Sequence, residues 1–474
     1  MTRYTVTLRP GDDSSLYCYL SAADPPVVPE GHIGLLQLPP PLPEFDTQAN
    51  AEAYGGVLNQ ALRANPAVAA ALAQICDVPL AYDTCATLLF DLPAAGADAY
   101  RWEAIHAPGS GFAAISRNCR VARIKRTALP PAEMPEALRV MAFISAAKVP
   151  GDVEFAALVA ALEVGRASGA RIEARILVGE QALLDQAGLH DWLKVERIPA
   201  ASADFETLIR GYAPHILHFF CHGQVGGNGP DALEFATVND WAIDSEMGHG
   251  LVGIDRLGRA LTNGATWLVV LNCCQGGASR PGAQSMASTL VSGKACAAAV
   301  GMIQPIDAAE ATLVTAAFHT ALFDTVLRDL SRPPASGTID FTPAIAAAHQ
   351  RFYDYCLQAA AQLPGSFGRW VMPVLYLAGE SMQFYVPPRS APAPKVPAAS
   401  PTVAPGGSGS APMMDQAHRD RLAIYARTLR SLPMDTPMKV RDQILALCGT
   451  APAIPMEFRP DLFGNFTAAE GATA

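Results

Sequence analysis

The chain is poor in charge, and poorest in positive charge. Only 16% of its 474 residues are charged, and 34 Lys and Arg against 44 Asp and Glu leave a net charge of -10. No basic block interrupts that balance, so a general nucleic-acid binder is excluded and no nucleic-acid partner is expected. No apolar run is long and unbroken enough to span a bilayer, because the alanine-rich stretches carry Gly, Pro or charge; no membrane partner is expected either. The start does not combine basic residues, an apolar stretch and a small-residue cleavage site. Met1 to Gly11 reads instead as a strand followed by turn residues. Cys-x-x-Cys pairs are absent, and the ten cysteines stand mostly in apolar surroundings, as reduced structural thiols of a cytoplasmic protein do. There is no internal repeat.

What is present is core-forming material. Half the residues are hydrophobic, which suits a folded chain of about two or three domains. Over residues 49–76, Tyr54, Val57, Leu58, Leu62, Val68 and Leu72 recur at helical intervals, and the strand-like run Cys85–Asp91 follows. From Leu138 strands and helices alternate. Strands are predicted at 138–145, 171–179, 215–223, 266–274, 297–304 and 370–377. Helices are predicted at 152–167, 205–212, 285–293, 308–327 and 343–362. Such alternation implies an α/β fold with a mainly parallel sheet flanked by helices. Pro387 to Pro412, rich in Pro, Ala, Gly and Ser, reads as a flexible linker. Two short helical patterns follow, at 415–431 and 437–448. The expected division is therefore an α+β region (1–130), the α/β domain (131–385), the linker (386–414) and a small helical module (415–474).

Reactive side chains stand at the carboxyl ends of two of these strands, where open α/β sheets place their chemistry. One run is His215-Ile216-Leu217-His218-Phe219-Phe220-Cys221-His222-Gly223. The other is Trp267-Leu268-Val269-Val270-Leu271-Asn272-Cys273-Cys274-Gln275-Gly276-Gly277. His222 with Cys274 suggests a thiol nucleophile and its histidine partner, hence acyl transfer. A buried thiol and a core histidine are the bland alternative, which the placement of both at glycine-flanked strand ends disfavours. A metal site built from His215, His218, Cys221 and His222 fails on face alternation. His215 and Cys221 point one way along the strand, His218 and His222 the other. The loop Gly223–Gly229 lacks the Lys-Ser/Thr ending of a phosphate loop. Cys273 with Cys274 would make only a strained vicinal disulfide. No metal or other cofactor is called for.

The string Asn272-Cys273-Cys274-Gln275-Gly276 matches the caspase pattern Gln-Ala-Cys-(Arg/Gln/Gly)-Gly from its third position onward. Cys274 stands 52 residues beyond His222, close to the spacing of about 50 in that class. Further strings agree in order: Arg101-Trp102-Glu103, Gly111-Phe112-Ala113, Leu138-Arg139-Val140, His218 to Gly223, Leu271 to Cys274, Ala297–Asp307, and Met372-Pro373-Val374-Leu375-Tyr376. Over most of residues 50–380 the chain resembles the CHAT domain family, caspase-like cysteine peptidases related to separases. It departs from the family where Arg101 replaces a proline and where Gly301-Met302-Ile303-Gln304 lacks a tryptophan.

The resemblance implies a caspase-like sheet and peptide hydrolysis without a required third catalytic residue. Cys274 would attack as a thiolate, with His222 as acid–base catalyst. The backbone N–H groups of Gly223 and Cys274 would form the oxyanion hole. Asn272 shares a strand face with Cys274 and would line the P1 pocket. Relatives that cut after Arg or Lys carry an acid there; Asp307 and Glu310 could supply that charge here, although Asp307 also fits as N-cap of the next helix. The implied partner is a protein substrate, to be sought among the products of neighbouring genes. Activation on demand in bacterial defence or programmed cell death is implied as well. The C-terminal module suggests a regulatory partner, or release by cleavage at Arg389 or Lys395. The alternative is a catalytically silent scaffold of the same fold, against which the joint presence of His222, Gly223 and Cys274 argues.

Overall fold

The apolar runs of the sequence become the strands of one 14-stranded sheet. The structure, a computed structural model, describes residues 2–11, 15–24, 33–38, 42, 45–77, 85–116, 119–186, 188, 190–224, 231–262, 265–273, 285–327, 334–360 and 367–387. Within one compact unit, Met1–Ala187 with Trp192–Pro388, the sheet strands are β1 (Thr2–Pro10), β2 (Leu16–Asp24), β3 (Gly34–Leu36), β4 (Ala86–Asp91), β5 (Cys119–Ile124), β6 (Leu138–Ile144) and β7 (Ile172–Val178). They continue with β8 (Leu193–Arg197), β9 (Ile216–Gln224), β10 (Ala232–Phe235), β11 (Gly250–Gly253), β12 (Leu268–Cys273), β13 (Ala298–Met302) and β14 (Pro373–Leu377). Across the sheet the order is β8-β7-β6-β9-β12-β13-β14-β5-β4-β1-β2-β3, with β10 and β11 extending from the end of β9. Pairing is parallel from β8 to β13 and from β14 to β1. It is antiparallel where β14 meets β13, along β1–β2–β3 and along β9–β10–β11. The α/β architecture, mainly parallel and flanked by helices, is the expected one.

Helices cover both faces: α1 (Gln48–Arg63), α2 (Pro66–Cys76), α3 (Asp152–Ala167), α4 (Ser202–Tyr212), α5 (Ile254–Leu261), α6 (Met286–Ser292), α7 (Ala308–Ala321) and α8 (Thr342–Ala360). All six residues of β12 and all five of β13 are buried, as strands covered on two sides must be. One core joins Leu217, Phe219, Cys221, Leu271 and Cys273 to residues of α4, α5 and α6. The other joins Ile216, Phe220, Val270 and Val300 to residues of α3, α7 and α8. Aromatic pairs bind the first core: Phe143 stacks on both Phe205 and Phe219 at 5.2 Å, and Phe205 lies tilted 5.0 Å from Phe235. Each such pair adds about 0.5–1.5 kcal/mol beyond its buried area. They fasten β10 and α4 onto β6 and β9.

Two expected bounds are corrected, and one helical pattern is divided. The helical periodicity of 49–76 is carried by two helices, because Asn65 turns its side chain onto the N–H groups of Ala67 and Val68 and Pro66 opens α2. The strand expected from Trp370 begins at Pro373; Phe367–Val371 forms a 3₁₀ turn that buries Trp370 against Phe112 and Tyr353. The helix expected to run to Leu327 leaves α geometry after Ala321, and Leu322–Val326 is a π turn.

The sheet runs without a break across the boundary expected at residue 130, because β14 lies between β13 and β5. That seam is clamped by Arg123, which has no exposure. Its Nε and Nη2 each donate to a Glu103 carboxyl oxygen at 3.1 Å, and its Nη1 donates to Asp98 Oδ1 at 2.9 Å and to the Tyr376 hydroxyl at 3.2 Å. Trp102, beside Glu103, donates to the Ala97 carbonyl and stacks on Phe90. The Arg101-Trp102-Glu103 string is thus part of the joint between the two halves of the sheet. The expected linker and helical module, apart from residues 386 and 387, lie outside the described residues. No helix among the described residues is long and apolar enough to cross a membrane.

Candidate active site

β9 changes partners at its end. Ile216 to Cys221 pair with β12, whereas His222, Gly223 and Gln224 pair with Glu234, Leu233 and Ala232 of β10. His222 therefore stands where the strand leaves the parallel sheet. Its Nε2 lies 2.8 Å from the carbonyl oxygen of Ala147. A carbonyl only accepts, so Nε2 carries the proton and Nδ1 is the basic nitrogen of the neutral ring.

Ala147 belongs to the turn that follows β6, where Ala146 and Val149 form an isolated bridge and Lys148 is left-handed with φ 63°. Ser145 holds the start of that turn. Its N–H donates to Phe220 of β9 at 2.9 Å, its hydroxyl donates to the Ala236 carbonyl at 2.5 Å, and Trp241 Nε1 donates to it at 3.2 Å. Lys148 reaches Asp244 at 2.7 Å and Glu246 at 3.3 Å across the surface. Gly179 packs so tightly under this turn that a Cβ there would collide with the Ala236 carbonyl and the Ser145 hydroxyl. Glu234, opposite His222, is buried and accepts hydrogen bonds from Gly248 N–H at 2.8 Å and from the Gln224 side chain.

Cys274, the expected nucleophile, lies outside the described residues. Cys273 is described. It is buried in the core that also holds Leu217, Phe219 and Cys221 of β9, on the sheet face away from His218 and Asn272.

Asn272 is buried on the other face. Its Nδ2 has two hydrogens to share among three acceptors, Glu154 Oε1 at 2.9 Å, the Ala311 carbonyl at 2.9 Å and the Thr315 hydroxyl at 2.8 Å. Asp307 and Glu310 are brought together at the start of α7 as a capping box, each carboxyl accepting from the other's backbone N–H. Glu310 also pairs with Arg369. Both acids are thereby engaged within the fold.

The remaining histidines and cysteine of the first run separate. His215 lies at the far end of the strand, where its Nδ1 accepts from the Arg139 N–H at 2.9 Å. Burial first and the Arg139 charge second push its pKa down to about 3. Cys221 faces the core with Cys273. His218 faces α3 and α7, with its Nε2 2.9 Å from Glu154 Oε1 and its ring 5.0 Å from that of His319. Burial, and His218 after it, push the His319 pKa down to about 3. Among the described residues no group of three or more His, Cys, Asp or Glu could hold a metal ion.

Sequence reasoning missed Ala147, Glu154 and Glu234. Glu154 left a signal, since it shares the spacing of the buried positions Leu158, Ala161 and Gly165 of α3. Ala147 left none, because its contribution is a backbone oxygen.

The model of the CHAT domain matches residues 52–330, more than half of the chain. No curated protein matches the sequence. Among solved structures, the separase–securin complex of Saccharomyces cerevisiae is similar with a TM-score of 0.34 and 9% identity, over 75% of this chain and 21% of that chain. The chain thus spans about a fifth of the separase chain it matches. A structure described as a protease is similar with a TM-score of 0.38 and 11% identity, over 72% of this chain and 70% of that one.

Proposed function

The chain belongs to the CHAT domain family, and from that premise we propose that it is a cysteine endopeptidase whose dyad is His222 and Cys274. The observation that carries this reading is the register of β9 with β12. Phe220 stands beside Asn272 and Cys221 beside Cys273, and the residues that follow these in sequence are His222 and Cys274. Burial of Cys273 in the opposite face favours Cys274 as the nucleophile.

In the proposed reaction the Cys274 thiolate attacks the scissile carbonyl, and the oxyanion is met by the N–H groups of Gly223 and Cys274. The Ala147 carbonyl fixes the ring of His222 through Nε2, which directs Nδ1 to the proton transfers. His222 protonates the leaving amine, and water then releases the acyl group from the sulfur. Asn272 contributes a neutral amide beneath the P1 side. The substrate is a specific protein, and the setting is a cytoplasmic one in which cleavage is triggered on demand, in defence or programmed death. The C-terminal module serves a regulatory partner.

The test incubates the full chain with the products of neighbouring genes, alongside Cys274→Ala, Cys273→Ala and His222→Ala. Cleavage is expected to survive Cys273→Ala and to fall by about 10³-fold or more in the other two. Cleavage that survives Cys274→Ala but not Cys273→Ala overturns the nucleophile. A stable complex with no cleavage under any condition makes the chain a scaffold.

A further inference from the structure

On the sheet face of His218 and Asn272, one oxygen atom gathers three elements. Glu154 Oε1 accepts from His218 Nε2 at 2.9 Å, from Asn272 Nδ2 at 2.9 Å and from the Thr315 hydroxyl at 2.6 Å. Those donors come from β9, β12 and α7, and Glu154 itself comes from α3. All four side chains are buried. Burying such polar groups is seldom the most stable way to fill a core, since apolar side chains of similar volume often do as well or better. Their arrangement has a specific geometric consequence.

His218 precedes His222 by four residues on β9, and Asn272, on β12, precedes Cys274 by two in sequence. Glu154 lies in the first turn of α3, which directly follows the turn that offers the Ala147 carbonyl to His222. The three segments that must agree for the dyad to work are therefore pinned at a single carboxyl group. The backbone ladder already fixes β9 against β12, but helices can shift against a sheet when only apolar side chains intervene; directional hydrogen bonds remove that freedom. Asn272 fits this account, because its amide nitrogen is directed at Glu154, Ala311 and Thr315.

We propose that Glu154 is a positioning residue, which sets the strand bearing His222, the strand that leads into Cys274 and the turn bearing Ala147 in one fixed arrangement. The inference rests on the dyad reading above. Its test needs no substrate. In a full-length Cys273→Ala background, the rate of iodoacetamide alkylation at Cys274 is followed across pH by peptide mass spectrometry, with urea midpoints measured in parallel. The parent chain is expected to react at a pH below the ordinary thiol range of about 8.5, and His222→Ala to move its profile up into that range. Glu154→Leu is expected to slow the reaction at neutral pH by about tenfold or more and to move the profile toward that of His222→Ala. Glu154→Gln keeps an accepting oxygen and is expected to retain most of the parent rate.

If Glu154→Leu does not fold, Asn272→Ala cuts the same link from the other side and is read in the same way. A variant that loses stability while keeping the parent profile overturns the inference and leaves Glu154 a structural residue. A His222→Ala profile that matches the parent instead overturns the dyad reading.

Discussion

Removing one carboxyl group from the Arg123 clamp tests how the two halves of the sheet are joined. Glu103→Ala takes away the two oxygens that Nε and Nη2 reach at 3.1 Å, at a guanidinium with no exposure. Asp98 still meets Nη1 at 2.9 Å, and the Tyr100 carbonyl still accepts from Nη2 at 3.1 Å. Breaking a buried pair by deleting one partner costs about 3–5 kcal/mol, and the surviving contacts put this case near the lower end, about 3 kcal/mol. Replacing both partners by apolar side chains, Arg123→Met with Glu103→Leu, removes the stranded charge. Asp98 then keeps Lys125 at 3.3 Å and the Tyr376 hydroxyl at 3.1 Å. The double variant is therefore expected to be more stable than Glu103→Ala by at least about 1 kcal/mol. Urea unfolding followed by circular dichroism supplies both numbers, with an unchanged slope reporting an unchanged extent of unfolding. A Glu103→Ala chain within about 1 kcal/mol of the parent would refute the reasoning, as would a double variant less stable than the single one.

Acid is expected to unfold the chain through histidines that burial keeps neutral. His215 and His319 have pKa values pushed down to about 3 in the fold and titrate near 6.5 once unfolded. Their contribution is complete above that higher value and is lost as pH falls through the window toward about 3, because the unfolded chain takes up the protons. Between pH 6 and pH 5 the two together should lose about 2 kcal/mol, read as a falling urea midpoint; a midpoint flat over that interval contradicts the assignment. Gly179→Ala pushes a Cβ into the Ala236 carbonyl and the Ser145 hydroxyl, and so displaces the turn that holds His222. Alkylation of Cys274 at neutral pH is expected to slow by about tenfold or more, and a parent-like rate would show that the turn tolerates the shift.

The buried strands were legible because their apolar runs are short and bounded by glycine or polar residues. β6, β7, β9 and β13 fall within two residues of their expected ends, and α3 spans the expected Asp152–Ala167. Strand order was not legible, since nothing in Cys119–Ile124 or Pro373–Leu377 announces that they will lie side by side. The break between α1 and α2 was written in Asn65-Pro66, a dipeptide that favours a turn, but the surrounding periodicity masked it. At the site, alternation along β9 separates His218 and His222 from Cys221, as the period of two requires. Glu154 escaped notice because an acid in the first turn of a helix is ordinary on electrostatic grounds. Its burial depends on Asn272 and Thr315, which are 118 and 161 residues away.

The place of β14 between β13 and β5 has a consequence for the order in which the chain is made. β5 is complete at Ile124, yet the strand that covers its open edge ends at Leu377. During synthesis the early strands must therefore wait, with one edge uncovered, while the rest of the sheet emerges from the ribosome. An uncovered edge is an invitation to pair with the wrong chain. The nascent protein is most exposed to that error just before its last sheet strand arrives, and a message truncated before residue 373 would leave the error permanent.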